Sequence, residues 1–151
     1  MIVRPSNESE WNVLVEFIQK HAHVARSDDL HMFGWVSQDQ LKMVVALGGF
    51  LGKVCQIHVA MLPGFNYTPK LLLNTVFAFV FDECGVEKLI GIVNSKNRAA
   101  MKYDLHLGFE EEYRMEGVHD DGGDLVILTM PRGRCVYVEP RHTTYHEAGN
   151  A

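Results

Sequence analysis

The chain has 151 residues, 47% of them hydrophobic and 22% charged, with a formal net charge of −5. That is enough chain for one domain with a sizeable buried core. The acidic balance, without any run of Lys or Arg, argues against nucleic-acid binding driven by phosphate neutralisation.

The longest apolar run, Leu71 to Phe81, is too short to span a bilayer, so no membrane partner is expected. The opening MIVRPSNESEW lacks the apolar core of a signal peptide. Cys55, Cys84 and Cys135 are scattered and form no CxxC pair. Together these point to reduced thiols in the cytoplasm.

Met1 to Arg4 reads as a short β-type opening stopped by Pro5. Asn7 supplies an N-cap and Glu10 a first-turn carboxylate, and Trp11, Leu14, Val15 and Ile18 recur at helical spacing. A helix over Glu8 to His21 is expected, with that stripe on a sheet. His21, His23, Asp28, Asp29 and His31 follow, but no HxxxH pair or zinc spacing joins them, so no metal is expected. His21 to Gln40 reads as a short second helix plus loops, with Phe33 and Trp35 packing the loop. Gln40–Leu47 and Gly49–Met61 read as two strands around a hairpin-type turn at Gly48-Gly49, with a break at Gly52. Within the second, Val54 to Met61 is continuous and β-branched, as in a strand buried on both faces.

Thr68-Pro69 reads as a hydroxyl N-cap followed by proline in the first helical position. The helix is expected to reach about Cys84, with Gly85 as a left-handed cap. Leu71, Leu72, Leu73, Val76, Phe77, Phe79, Val80 and Phe81 make it apolar almost all round. Loops or a second subunit of a homo-oligomer would have to cover it. Lys88 to Val93 is a short strand. Asn94 or Ser95 then caps a helix over Lys96 to Leu107, which Gly108 ends. Glu110–Gly117 and Asp124–Met130 read as antiparallel strands around the turn HDDGG. Residues 1–135 form the expected domain. Residues 136–151 read as an exposed tail, docked by Val136 and Val138.

Strands and helices in this order fit one sheet covered on both faces. Lys53 to Phe109 forms a βαβα unit, with its Pro/Gly/Asn loop at the carboxyl end of a strand, where parallel pairs usually offer a ligand site.

Asn97-x-x-Ala100 followed by Leu107-Gly108-Phe109 resembles the fourth-helix signature of the GNAT superfamily of N-acetyltransferases, and the likeness runs over roughly residues 1–131. It implies an α/β (α+β) fold with a mixed, mostly antiparallel central sheet and helices on both faces, in the order β-α-(α)-β-β-β-α-β-α-β-β. It implies acetyl-CoA in a gap between the fourth and fifth strands, with the backbone of His58, Val59 and Ala60 paired to the pantetheine arm. Tyr67, Thr68, Lys70 and Leu71 would lie at the pyrophosphate, and Asn94 and Asn97 could contact CoA. His58 is the candidate base for a direct attack by a small-molecule or peptide amine.

Two features depart from the family pattern. Pro69 and Leu71 stand where glycines of the pyrophosphate loop are expected, and proline has no N–H to donate. The tyrosine that faces the departing thiolate in many members is replaced by Asp104, expected to be ionised and to repel that thiolate. Tyr103, one residue earlier and about 100° round the helix, is the candidate phenol, although that rotation turns it towards the core. Two readings follow from the resemblance: an acetyl-CoA-dependent N-acetyltransferase, or a catalytically degenerate protein that keeps the scaffold to bind partners. The second is similar to GNAT-like domains encoded by bacteriophages, including virion-associated ones, and both departures favour it.

Overall fold

In the computed structural model, which describes residues 1–138, Asn7 caps the first helix, accepting a hydrogen bond from the Glu10 N–H at 2.9 Å. That helix, α1, runs over Glu8–Ala22 after a short strand β1 (Ile2–Val3). Three strands follow: β2 (His31–Ser37), β3 (Gln40–Leu51) and β4 (Val54–Met61). Helix α2 (Lys70–Ala78) continues into a π-helical turn, Phe79–Glu83. Strand β5 (Lys88–Asn94), helix α3 (Arg98–Leu107) and strands β6 (Glu110–Met115) and β7 (Leu125–Pro131) complete the domain.

The described residues form one seven-stranded sheet in the order β1-β2-β3-β4-β5-β7-β6. Every neighbouring pair is antiparallel except β4 with β5. The fold class is the expected one.

Strand alternation divides the core into two layers. Val44 and Ala46 of β3, with Met32 and Ala60, meet Leu14, Val15 and Ile18 of α1. Met43, Val45 and Leu47 face the other way, against Leu72, Leu73, Val76 and Phe77 of α2, the Val80 and Phe81 turn, and Leu107 of α3.

Four local expectations are corrected. No second helix follows α1; the segment forms β2 instead, burying Met32 and Phe33. Its hairpin to β3 turns at Gln38-Asp39, both with φ 56°. A two-residue hairpin of that hand usually carries Gly or Asn, so these residue types gave no turn signal. Gly48-Gly49 is not a turn: it lies within β3, where the register to β4 shifts between Gly48 and Leu51. Gly49 takes the positive φ (61°) that the irregularity requires, and the true turn sits at Gly52-Lys53.

Thr68 does not cap α2. Pro69 holds the cap position in extended geometry, without a side-chain bond, and the helix begins one residue later. Asn94 and Ser95 do not cap α3. Asn97 does, accepting from the Ala100 N–H at 3.1 Å. At the end of the described chain Tyr137 stacks on Phe77 with ring centroids 5.3 Å apart, and Val138 packs on the same core. Val136 is 80% exposed, so Tyr137 rather than Val136 does the docking. The rest of the expected tail, 139–151, lies outside the described residues.

Candidate functional site

Strand β4 is zipped to β3 along most of its length, from Met43↔Met61 to Gly48↔Gln56. Strand β5 is likewise paired to β7 from Lys88 to Asn94. Between β4 and β5 only three pairs form, Val54↔Lys88, Cys55↔Leu89 and Gln56↔Ile90. Past that point Ile57–Met61 and 91–94 have no strand partner on their facing edges among the described residues. An open edge in mid-sheet presents backbone donors and acceptors to an extended ligand, which can add as a strand. His58, Val59 and Ala60 lie on this edge.

The period of β4 turns His58 to the α1 face, the side shared by Ala60. There it lines a cavity of about 510 Å³ with His23, Ser27, Asp29, Gln56 and Ile92, closed on one side by Gly48-Gly49. The end of helix α1 and the residues after it, Ala22 to Ala25, line the cavity, and His23 in left-handed geometry (φ 55°) caps the helix there. Asp29 ties that chain to the irregular part of β3. Its carboxylate accepts from the Gly49 N–H at 2.7 Å and the Phe50 N–H at 3.3 Å, and from the Ser27 hydroxyl. These bonds, the Ser27 hydroxyl first, hold Asp29 below the usual carboxylate range. Burial lowers the His58 imidazole below its ordinary 6.5, and the Asp29 charge opposes part of that shift. At neutral pH His58 is therefore an unprotonated imidazole at the edge of the gap.

The opposite face carries the other predicted residues. The Tyr103 phenol and the Thr68 hydroxyl are hydrogen-bonded at 2.9 Å, which latches α3 to the loop ahead of α2. Burial pushes the phenol up to about 12, so it keeps its proton. Tyr67 and Lys70 are exposed, and Leu71 is 61% exposed, turned away from the core. The first N–H groups of a helix have no intrahelical acceptor; in α2 Pro69 withholds none of the three, which belong to Lys70, Leu71 and Leu72.

Asn94 and Asn97 stand apart from this grouping. The Asn94 amide donates to Asp121 at 3.0 Å while its carbonyl accepts from the Lys96 N–H at 3.0 Å, fastening the β6–β7 turn. Asn97 caps α3.

Two carboxylates that the sequence reading did not use as site residues now bear on the gap. Asp29 was weighed only within the His21–His31 cluster, because two of its three partners, the Gly49 and Phe50 N–H groups, come from β3 about twenty residues on. Asp104 lies over β5: a Cβ on Gly91 would stand 3.2 Å from its Oδ2 and 3.9 Å from the Phe109 ring. It has no hydrogen-bond or ion-pair partner among the described residues. Burial alone pushes it up to about 6. At neutral pH Asp104 is still mostly ionised, as expected, but desolvation brings its protonated form within reach just below neutrality.

No family model matches the chain, and no curated protein matches it. Solved structures do. A protein of Desulfovibrio desulfuricans assigned to the GNAT family aligns at TM-score 0.68 with 14% identity, covering 87% of this chain and 98% of that one. The spermidine N-acetyltransferase of Vibrio cholerae, solved in complex with CoA and spermine, aligns at TM-score 0.67 with 12% identity over 89% and 96% of the two chains. The spermidine/spermine N-acetyltransferase SpeG of the same organism, in complex with manganese ions, aligns at 0.66 with 13% identity over 88% and 92%. At such identities the likeness is one of fold, and the fold is that of the GNAT acetyltransferases.

Proposed function

We propose that the chain transfers an acetyl group from acetyl-CoA to a primary amine by direct attack of the amine on the thioester. One observation carries this reading: the β4–β5 pair opens after three rungs, and a neutral His58 stands at the opening beside a cavity on the α1 face. The free edge of Val59 and Ala60 would hold the pantetheine arm as an added strand. The N–H groups of Lys70, Leu71 and Leu72 at the positive end of α2, with the Lys70 ammonium and Tyr67 beside them, would meet the pyrophosphate. Pro69 costs this cradle little, because it precedes those three donors. Tyr103 serves the loop through Thr68.

In this reading the acceptor amine enters the cavity and His58 removes the proton that its nitrogen sheds on forming the C–N bond. The V. cholerae neighbour that holds CoA and spermine supports a small-molecule amine as the acceptor class.

Titration with acetyl-CoA, followed by calorimetry and thermal unfolding, tests the reading. At a hundred times the dissociation constant, binding raises stability by about 2.7 kcal/mol. Lys70→Glu should weaken binding about tenfold or more, the scale of one lost charge contact on a phosphate. His58→Gln should leave binding intact and lower turnover of a primary-amine panel by about 10²-fold or more. Because His58 is active only when neutral, wild-type turnover should fall as the pH drops through its lowered folded value. No stabilisation at millimolar acetyl-CoA would sink the proposal.

A further inference from the structure

The sheet separates two titratable groups at one opening. His58 faces the α1 side of β4, while Asp104 lies on the α3 side over Gly91, the first residue of β5 beyond the last rung shared with β4. A group passing through the gap would have one of them on each face of the sheet. Asp104 is a half-buried carboxyl with no side-chain hydrogen bond or ion pair among the described residues, and its oxygens stay accessible to water or a ligand at the opening. Gly91 makes the placement possible: any side chain there would crowd Oδ2.

On the acetyl-transfer reading, we infer that Asp104 is the acid that protonates the departing CoA sulfur, the role for which Tyr103 was the sequence candidate. The amine nitrogen forms its bond to the thioester carbonyl carbon and His58 accepts the N–H proton. When the C–S bond breaks, its electron pair stays on sulfur, and sulfur takes the proton of the Asp104 carboxylic acid. The products are an amide and a free thiol, with one proton gained at His58 and one lost at Asp104. Exchange with solvent restores both, and no further reactant is needed.

Tyr103 fits the task less well. Its hydroxyl is engaged with Thr68 and its proton is held up to about 12, above the range of ordinary thiols. Asp104 Oδ2 lies over the Gly91 backbone, beside which the Phe109 ring also packs, and neither titrates; on its own helix its charge acts on the Tyr103 phenol. No charged group of another element contributes to its raised value, for which burial is the one cause.

The experiment compares wild type, Asp104→Asn and Tyr103→Phe in the full chain. Proton uptake on binding coenzyme A at pH 6 is measured calorimetrically in two buffers of different ionisation enthalpy. Turnover of acetyl-CoA with the amine panel is followed by thiol release. Placing a thiol against Asp104 should make wild type and Tyr103→Phe take up a fraction of a proton, and Asp104→Asn none. Asp104→Asn should lower kcat about 10²-fold, with acetyl-CoA affinity changed less than about threefold, and should remove the alkaline limb of the kcat profile. Tyr103→Phe should instead weaken acetyl-CoA binding and keep that limb.

Equal proton uptake in wild type and Asp104→Asn would overturn the assignment, as would an unchanged kcat and alkaline limb in Asp104→Asn. Both results leave acetyl transfer standing, provided that wild type binds acetyl-CoA. Failure of wild type to bind it would instead remove the acetyl-transfer reading and this inference with it.

Discussion

Strand β4 has two neighbours and treats them differently. Towards β3 it is paired nearly end to end, and the side chains of that junction are buried on both faces of the sheet. Towards β5 it shares three rungs and then runs on with a free edge. The closed junction holds apolar residues such as Val44, Val45, Ala46 and Leu47; the open one gathers His58, the cavity and the unpartnered Asp104. One strand thus anchors the fold on one side and leaves an open edge lined by titratable groups on the other. A substitution should reveal which side it touches by whether it changes stability or chemistry.

The largest effect is expected on the closed side. Leu47 is fully buried between β4 and α2. Leu47→Ala should cost about 2–5 kcal/mol in urea unfolding, because it leaves a cavity as well as losing transfer energy. Ile92, on β5 past the last rung, is 47% exposed. Ile92→Ala should stay within about 0.5 kcal/mol. Equal losses at the two positions would mean that the gap is closed in solution.

The next effect is opposite in sign. The folded value of Asp104 is raised to about 6 from 3.8 by burial. The native state therefore gains from a protonated Asp104 at low pH and loses that gain as pH rises through about 4 to 6. Above pH 6 the buried carboxylate is a liability of at most about 3 kcal/mol. Asp104→Asn should consequently be more stable than wild type at pH 7.5, by about 1–3 kcal/mol, with little gain at pH 4. Denaturant midpoints at the two pH values measure this. A variant that is less stable at pH 7.5 would show that the carboxylate has a structural partner.

The sequence made the closed parts of the molecule easy to read and the open part hard. Helix α1, strand β4 and the Gly108 stop follow from local signals: a cap, a β-branched run and a residue able to take φ 112°. The opening depends on where two strands distant in sequence stop pairing, and no residue type announces that. The position of His58 on the open edge was legible because it lies on a recognisable strand. The hairpin at Gln38-Asp39 was missed because its turn uses residues seldom found at positive φ. The raised value of Asp104 could not be read from the sequence, because burial, which sets it, is a property of the packed fold rather than of the residue.

The smallest expected effects compare the starts of helices α2 and α3. Helix α3 begins with a formed cap, Asn97 to the Ala100 N–H, and the turn before it is fastened by Asn94 to Asp121 and by the Ser95 hydroxyl to the Asp124 N–H at 2.8 Å. Helix α2 begins at Pro69 with no side-chain cap, and the adjacent Thr68 hydroxyl bonds to Tyr103 across the structure. Asn97→Ala should therefore cost about 1 kcal/mol, the usual value of an N-cap, and leave acetyl-CoA affinity unchanged. Thr68→Ala should cost no more than about 1 kcal/mol in stability. It should also weaken acetyl-CoA binding, because it releases the loop that precedes the free α2 donors. Thermal unfolding with and without acetyl-CoA separates the two: the Asn97 variant should shift both midpoints equally, the Thr68 variant the liganded one more. If the Thr68 variant also shifts both equally, its hydroxyl only braces α3, and the uncapped start of α2 has no part in holding the ligand.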